Sequence, residues 1–169
     1  MVVLLDLDGV LITTPPWRPL EIQADGFFKL NEKAAANLAG ILTQTQAAVV
    51  LTTSHRINYS VEQWREILQT RGINPASITK INDCRTVADM ADRATEIAEW
   101  VSRQPAELNY VVLDDDLSLH DLPAAIRQRC VLTKPLLGLD ADATRQALTI
   151  LRGPVRQEFG TALPPPATN

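Results

Sequence analysis

The sequence predicts a single α/β domain in which a parallel β-sheet lies between two layers of helices. Short apolar runs alternate along the chain with longer segments that repeat apolar residues at helical spacing, and this alternation is typical of β-α-β units. The runs are rich in Val and Leu at successive positions, as strands covered on both faces must be. A length of 169 residues suits one hydrophobic core, and we place the domain at residues 1–153.

Four strands are predicted from these apolar runs. The first three are continuous stretches of aliphatic residues, which favours positions inside the sheet. The last is shorter and is expected near an edge. The predicted strands cover residues 2–5, 47–51, 110–113 and 130–133.

Four helices are predicted between and after the strands. Asn31 is placed to cap the first helix, and Ser60 with Gln63 three residues later gives the second a capping-box pattern. The third helix is amphipathic, with Met90 and Ile97 on its apolar side. The predicted helices cover residues 32–43, 61–69, 89–102 and 140–151.

Two segments do not fit the alternation of strands and helices. Residues 12–30 are polar and interrupted by prolines, and they contain Trp17. Because they directly follow the first strand, we predict a flap beside a site at the end of that strand. This segment is too short for a folded cap domain, so the site should be open. Residues 154–169 contain three consecutive prolines and are expected to form a poorly ordered tail.

Composition excludes several classes of protein. The net charge is −4 and the pI about 5.1, so the chain has no overall basic surface for coating nucleic acid, although a local arginine cluster would not appear in the total. Two cysteines are too few for a disulfide framework. No apolar run approaches the roughly 20 residues of a membrane span, and the N-terminus lacks a signal peptide's basic region. We therefore expect a cytoplasmic protein without a membrane partner.

Polar residues follow three of the predicted strands at the points where the strands end. Ligands of parallel sheets bind beyond the carboxyl ends of the strands. Several carboxylates at one edge repel each other unless a cation is bound, and a set of oxygen ligands suits Mg²⁺. A purely structural alternative is that the acidic pair and the glycine after the first strand form a simple turn. The residues concerned are Asp6 and Asp8, Thr52 and Thr53, and Asp114 and Asp115.

In order and in strand context, these residues resemble the motifs of the haloacid dehalogenase-like (HAD) superfamily. The resemblance rests on residues 6–11 (DLDGVL), 49–52 (VVLT) and 111–115 (VVLDD), and it extends to about Leu151. It implies a three-layer Rossmann-like fold. The ending of the third strand, together with Gly138-Leu139 before the last helix, more narrowly resembles the compact HAD domains associated with RNA-repair proteins.

The resemblance implies catalytic roles for the first motif. Asp6 would be the nucleophile that attacks phosphorus and forms an aspartyl-phosphate. Asp8 would protonate the leaving oxygen and then activate water. Gly9 would allow the backbone to approach the phosphate closely.

Phosphate and metal ligands are implied in the same way. Thr52 would hydrogen-bond a phosphoryl oxygen, and Thr53 would stand beside it, although both are also ordinary strand residues. The implied Mg²⁺ ligands are the carboxylates of Asp6 and Asp114, with Asp115 as a further candidate, and the backbone carbonyl of Asp8.

The basic residue of the site is where the chain departs from the family pattern, which has a lysine before the acidic strand. Arg93 holds the corresponding place, 21 residues before Asp114, and Lys80 is the alternative. An arginine would hold phosphate oxygens through a planar fork rather than a point charge. Arg56, in the loop after Thr52, is a further candidate for contact with a substrate phosphate, with a solvated loop position as the alternative.

These observations predict a Mg²⁺-dependent phosphomonoester hydrolase that acts through an aspartyl-phosphate. Its open site favours a bulky substrate such as a nucleic-acid end, and a nucleotide is the alternative. Two non-enzymatic alternatives remain: a receiver module phosphorylated on aspartate, which the order of the motifs argues against, and a non-catalytic phosphate-binding protein. We expect a monomer or a homodimer.

Overall fold

The computed structural model describes residues 1–15 and 17–154. Its centre is a parallel sheet of five strands in the order β3-β2-β1-β4-β5, so β1 lies in the middle and the order reverses beside it. The predicted α/β class with a three-layer Rossmann-like sheet is confirmed. The strands are β1 (Val2–Leu5), β2 (Ala48–Leu51), β3 (Ile78–Lys80), β4 (Tyr110–Asp114) and β5 (Cys130–Leu132).

Helices cover both faces of the sheet. One apolar cluster joins Val3 and Leu5 to helices α1, α2 and α5, and a second joins Leu4 and Val112 to α3 and the loops beside it. Neighbouring residues of one strand belong to opposite clusters because side chains alternate along a strand. The helices are α1 (Glu32–Thr45), α2 (Val61–Gln69), α3 (Arg93–Ser102), α4 (Ala124–Arg127) and α5 (Ala141–Arg152).

Most predicted elements are confirmed, with three corrections. Helix α3 begins at Arg93 rather than at residue 89, because Asp92 caps it by accepting a hydrogen bond from the Thr95 amide at 3.0 Å. Strand β3 was not predicted; it has three residues, of which only Ile78 is buried, too short a pattern to recognise. Helix α4, a single turn, was missed for the same reason. The predicted edge position of β5 and both predicted caps, Asn31 and Ser60, are confirmed.

The segment of residues 12–30 is attached to the core more firmly than a free flap would be. Phe27 is buried and packs edge-on against Trp64 and Tyr59, at ring-centroid distances of 5.2 and 5.7 Å. In contrast, Trp17 is 73% exposed. Phe27 therefore anchors the segment to the core whereas Trp17 is exposed, and residues 12–15 and 17–30 contain no helix or strand of a separate cap domain. The predicted tail lies outside the described residues from position 155 onward.

An ion pair between Asp25 and Arg71 fastens this segment to the end of α2. The Arg71 guanidinium donates to both carboxylate oxygens of Asp25, at 2.5 and 3.1 Å, and to the Phe28 carbonyl. These bonds lower the pKa of Asp25 to about 2, from an ordinary value of 3.8.

Asp25→Asn is expected to lower the free energy of unfolding at pH 7 by about 1 kcal/mol, a modest figure because the Asp25 side chain is 27% exposed. An acid whose pKa is lower in the folded state stabilises the fold above its unfolded pKa. The difference between wild type and variant should therefore shrink as the pH falls from about 4 toward 2. Urea unfolding at several pH values measures it.

The exposed pair Lys29–Glu21, at 3.3 Å, provides the control, and Glu21→Gln should have little effect. Equal losses in the two variants, or a difference that is independent of pH, would contradict the assignment of this ion pair.

Candidate active site

The polar strand ends meet at one edge of the sheet, as the sequence predicts. Asp6 follows β1, and its amide donates to the Leu113 carbonyl of β4 at 3.0 Å. Thr52 follows β2, and its amide donates to the Leu5 carbonyl at 2.9 Å. The parallel ladders thus continue one residue beyond the strands and align Asp6 and Thr52 with Asp114, the last residue of β4.

Three carboxylates converge at this edge. One oxygen from each of Asp6, Asp114 and Asp115 lies within 4.8 Å of the others. Asp6 and Asp114 are buried, with 4% and 0% of their surface exposed. Asp114 Oδ2 is buried and accepts no hydrogen bond from the described residues. An acceptor left in this state is costly, and a hard cation would satisfy it.

Burial and mutual repulsion raise the pKa values of these acids. Burial, followed by the charge of Asp114, raises the pKa of Asp6 to about 7, against the opposing effect of Arg93. Burial raises the pKa of Asp114 to about 6, again opposed by Arg93. The pKa of Asp115 is also raised, chiefly by burial. These carboxylates would ionise more readily with a cation between them.

The structure brings Arg93, and not Lys80, to the carboxylates. Arg93 Nη2 donates to Asp6 Oδ1 at 3.1 Å. Its Nε lies 3.0 Å from Asp114 Oδ2, without the alignment of a hydrogen bond, and its Nη1 contacts the Thr52 carbonyl. Lys80 ends β3, which β2 separates from β1. Arg93 occupies the first turn of α3, because Asp92 caps that helix immediately before it.

Asp8 lies outside the group of three carboxylates. Its side chain is 53% exposed, and its Oδ2 lies 3.0 Å from Nε2 of His55. Hydrogen bonding to Asp8 raises the pKa of His55, whereas burial opposes the rise. His55 belongs to a 3-10 turn, Ser54–Asn58, that follows β2. The sequence shows His55 in this loop but does not indicate its partner, because that contact depends on how the loop folds back.

Gly9 holds the turn after Asp8 in a conformation that L-residues rarely adopt, with φ of 67°. A Cβ atom on Gly9 would lie 2.1 Å from Oδ2 and 2.9 Å from Cβ of Asp115. The bare backbone of this turn therefore makes room for Asp115 in the carboxylate group. Thr133, which the sequence did not single out, donates from its hydroxyl to the Gly9 carbonyl at 2.8 Å.

Gly9→Ala is expected to destabilise the protein by more than backbone strain alone, since Asp115 would have to move. Gly26→Ala is the matched control, because Gly26 also has a positive φ, 81°, but nothing lies within 4 Å of its added Cβ. The control should lose about 1–2 kcal/mol of unfolding free energy, and Gly9→Ala at least about twice that. Urea denaturation compares the two variants, and equal losses would show that Asp115 is displaced without cost.

The two threonines after β2 are both buried. Thr52 Oγ1 has no hydrogen-bond partner among the described residues, so it is a donor available at the level of Asp6. Thr53 Oγ1 accepts a hydrogen bond from the His55 amide at 3.3 Å and so caps the 3-10 turn.

Arg56 is not brought to the open site. It is 1% exposed, forms an ion pair with Glu96, and donates to the carbonyls of Thr52 and Thr53 at 2.8 and 3.1 Å. Its Nη2 also donates to Asn82. Glu96 was not identified from the sequence. This acid lies on the buried side of α3, three residues after Arg93 and next to the buried Ile97. That position in the helix is the signal that could have indicated it.

The strand order of the sheet and the carboxylates that converge at its edge fit the HAD-like class. The chain belongs to the family described as the HAD domain in Swiss Army Knife RNA repair proteins, whose model matches residues 2–144. This membership identifies a compact domain of HAD-hydrolase type, as its motifs predict. No curated protein and no solved structure gave a match. None of the helices in residues 1–15 and 17–154 combines the length and apolarity needed to span a membrane.

Proposed function

We propose that the protein is a Mg²⁺-dependent phosphomonoester hydrolase in which Asp6 is the nucleophile. The observation that carries the proposal is the group of the buried Asp6 and Asp114 and the half-buried Asp115 beside Arg93. A phosphoryl transfer site needs carboxylates that bind a metal ion and a basic side chain that binds the phosphate oxygens. Both are present here, with Arg93 in contact with Asp6 and Asp114.

The donor set fits a magnesium ion. All of its members are oxygen atoms, which Mg²⁺ prefers, and Oδ2 of Asp114 accepts no hydrogen bond from the described residues, although Arg93 Nε lies 3.0 Å away. The carboxylates of Asp6, Asp114 and Asp115 would hold the ion, together with the backbone carbonyl of Asp8. Bound there, Mg²⁺ would neutralise the charge that the phosphoryl oxygens gather in the transition state.

The chain's own residues supply the remaining chemistry. The Asp6 carboxylate attacks phosphorus, and the bond from phosphorus to the leaving oxygen breaks as Asp8 gives that oxygen its proton. Asp8, now ionised, takes a proton from the water that attacks the aspartyl-phosphate, which releases phosphate and restores both acids. The Arg93 guanidinium and the free hydroxyl of Thr52 bind the phosphoryl oxygens. Thr53 stabilises this side of the site by capping the 3-10 turn Ser54–Asn58. Gly9 lets the phosphate come close to the backbone.

Arg56 has a structural role in this proposal, because it is only 1% exposed and its donors serve Glu96 and the backbone, whereas the Arg93 side chain is 14% exposed beside Asp6. Arg93 also weakens the case for a non-catalytic module. That case depends on the absence of the family's lysine, and Arg93 stands between Asp6 and Asp114 where a cation is needed.

For the substrate we propose a phosphorylated nucleic-acid end, with a nucleotide as the second candidate. Support comes from the family's association with RNA repair and from the absence of a cap domain in residues 1–15 and 17–154. An open site accepts a phosphate on a bulky molecule, which itself excludes water on binding, whereas a small ester leaves the site more exposed to water and should react more slowly. We place the protein in the cytoplasm as a monomer or homodimer on sequence grounds alone.

The proposal is tested by phosphate release from p-nitrophenyl phosphate with Mg²⁺ and with EDTA. We expect hydrolysis that EDTA abolishes and that excess Mg²⁺ restores, and calorimetry should show Mg²⁺ binding that Asp114→Asn weakens. Activity that ignores the chelator would contradict the mechanism. A panel of phosphorylated oligonucleotide ends, nucleotides, sugar phosphates and phosphopeptides then ranks the substrate classes by kcat/KM.

A further inference from the structure

The acid/base Asp8 stands on an exposed turn, and such a residue needs a fixed orientation. Its carboxylate is half exposed, and among the described residues its polar side-chain contact is with His55. A freely rotating carboxylate would spend much of its time pointing away from the leaving oxygen, and general acid catalysis requires the proton within hydrogen-bonding distance of that oxygen.

His55 is itself held from two sides. Its amide is bonded to the Thr53 hydroxyl at the start of the 3-10 turn. Its ring stands edge-on to Phe28 and Phe27, at centroid distances of 5.5 and 6.0 Å. Phe27 is buried in the core, so the imidazole packs against a fixed apolar side chain, and only 21% of the His55 side chain is exposed.

We propose that His55 is a positioning residue that aims the Asp8 carboxylate at the leaving oxygen, and that Phe27 and Phe28 hold it in place. The inference rests on the proposed function. His55 Nε2, 3.0 Å from Asp8 Oδ2, acts as a hydrogen-bond donor to one carboxylate oxygen and leaves the other oxygen for the substrate. A neutral imidazole protonated on Nε2 donates as a cationic one does, so this role does not depend on the charge of the ring.

This role gives residues 12–30 a second purpose. Phe27 and Phe28 both belong to this segment, and the segment therefore influences the acid/base through His55. The donor atom of His55 provides the contact with Asp8, and the packing against Phe27 and Phe28 limits the positions that this donor can take.

The test compares two phosphate esters with different leaving groups, because a loss of acid catalysis affects them unequally whereas a folding defect affects them equally. His55→Phe keeps the ring packing and removes the donor, whereas His55→Gln retains an amide donor of similar reach. The ratio kcat/KM reports the steps up to and including phosphoryl transfer to Asp6. Protonation by Asp8 strongly affects this ratio for phenyl phosphate, because phenolate is a poor leaving group. It matters little for p-nitrophenyl phosphate, whose leaving group is stable as an anion.

We expect His55→Phe to lose about 10–100-fold in kcat/KM on phenyl phosphate, part of what general acid catalysis contributes, and much less on p-nitrophenyl phosphate. His55→Gln should recover most of the loss. His120→Phe, which changes the only other histidine, exposed in the turn after β4, should behave as wild type. Equal losses on both esters, no loss, or a Gln variant as impaired as the Phe variant would each overturn the inference.

Asp6→Asn, assayed beside these variants, keeps the two levels of the argument apart. Activity that survives Asp6→Asn overturns the proposed function and the inference with it. Activity that depends on Asp6 but falls equally on both esters in His55→Phe overturns only the inference about His55.

Discussion

Replacing Asp6 by asparagine is expected to abolish Mg²⁺-dependent phosphate release, with a loss in kcat of about 10³-fold or more. The amide is nearly the same size as the carboxylate but cannot form the covalent phosphoryl intermediate. Hydrolysis of p-nitrophenyl phosphate at saturating Mg²⁺ measures the loss. Asp140→Asn is the control, since Asp140 caps α5 through an oxygen that asparagine retains, and its activity should equal that of wild type.

The same variant should not lose stability in chelator. Because burial and Asp114 raise the pKa of Asp6 to about 7, the folded protein binds this proton more tightly than the unfolded chain does. An acid of this kind destabilises the fold progressively as the pH rises from about 4 through 7. We therefore expect metal-free Asp6→Asn to be at least as stable as wild type at pH 8, measured by urea unfolding.

Magnesium should reverse that order, because only the wild type has all three carboxylates. A ligand that binds only the folded state stabilises it in proportion to its affinity, so Mg²⁺ should raise the midpoint of unfolding in wild type more than in Asp6→Asn. Full activity in the variant, or an equal effect of Mg²⁺ on both proteins, would contradict the role of Asp6.

Breaking the buried ion pair between Arg56 and Glu96 should have the largest effect on stability. Both side chains are almost fully buried, at 1% and 3% exposure. Arg56→Met removes the guanidinium that neutralises Glu96 and leaves this buried acid with Asn82 and with Arg93 Nη1 at 3.8 Å. It also removes one donor from each of the Thr52 and Thr53 carbonyls. The expected cost is about 3–5 kcal/mol of unfolding free energy, measured by urea denaturation.

Two comparisons sharpen this result. Arg145→Met removes an exposed partner of Asp142 and should cost little. The double variant Arg56→Met/Glu96→Leu removes both buried charges together and should lose less than the sum of the two single variants. An Arg56→Met protein as stable as Arg145→Met would show that Arg56 is not structural, and would return it to the list of substrate-binding candidates.

The pair also explains how the fold holds Arg93. Glu96 lies between the two arginines, bonded to Arg56 and 3.8 Å from Arg93 Nη1. Arg93 in turn contacts Asp6. A chain of alternating charges therefore runs from the interior to the carboxylates, and it places a guanidinium beside the proposed nucleophile without a lysine in the family's usual place.

The sheet and its acidic edge were predictable because they depend on the backbone. Apolar runs that alternate with capped helices indicate parallel strands, and hydrogen bonding between such strands brings their carboxyl ends to one level. Asp6, Thr52 and Asp114 follow from that rule alone. The elements that were missed are short: β3 and α4 have three and four residues, too few for a periodic pattern.

The partners of long side chains were decided only by the tertiary structure. Arg56 and Arg93 were both candidates for a phosphate contact in the sequence, but Arg56 pairs with Glu96 in the core and Arg93 pairs with Asp6 at the site. In the sequence His55 is only a loop residue, and the structure shows that it contacts Asp8 and packs against the phenylalanines. Sequence alone determines where strands end. Where an arginine or histidine points depends on which charges the fold brings within its reach, because these flexible side chains have many rotamers of similar energy.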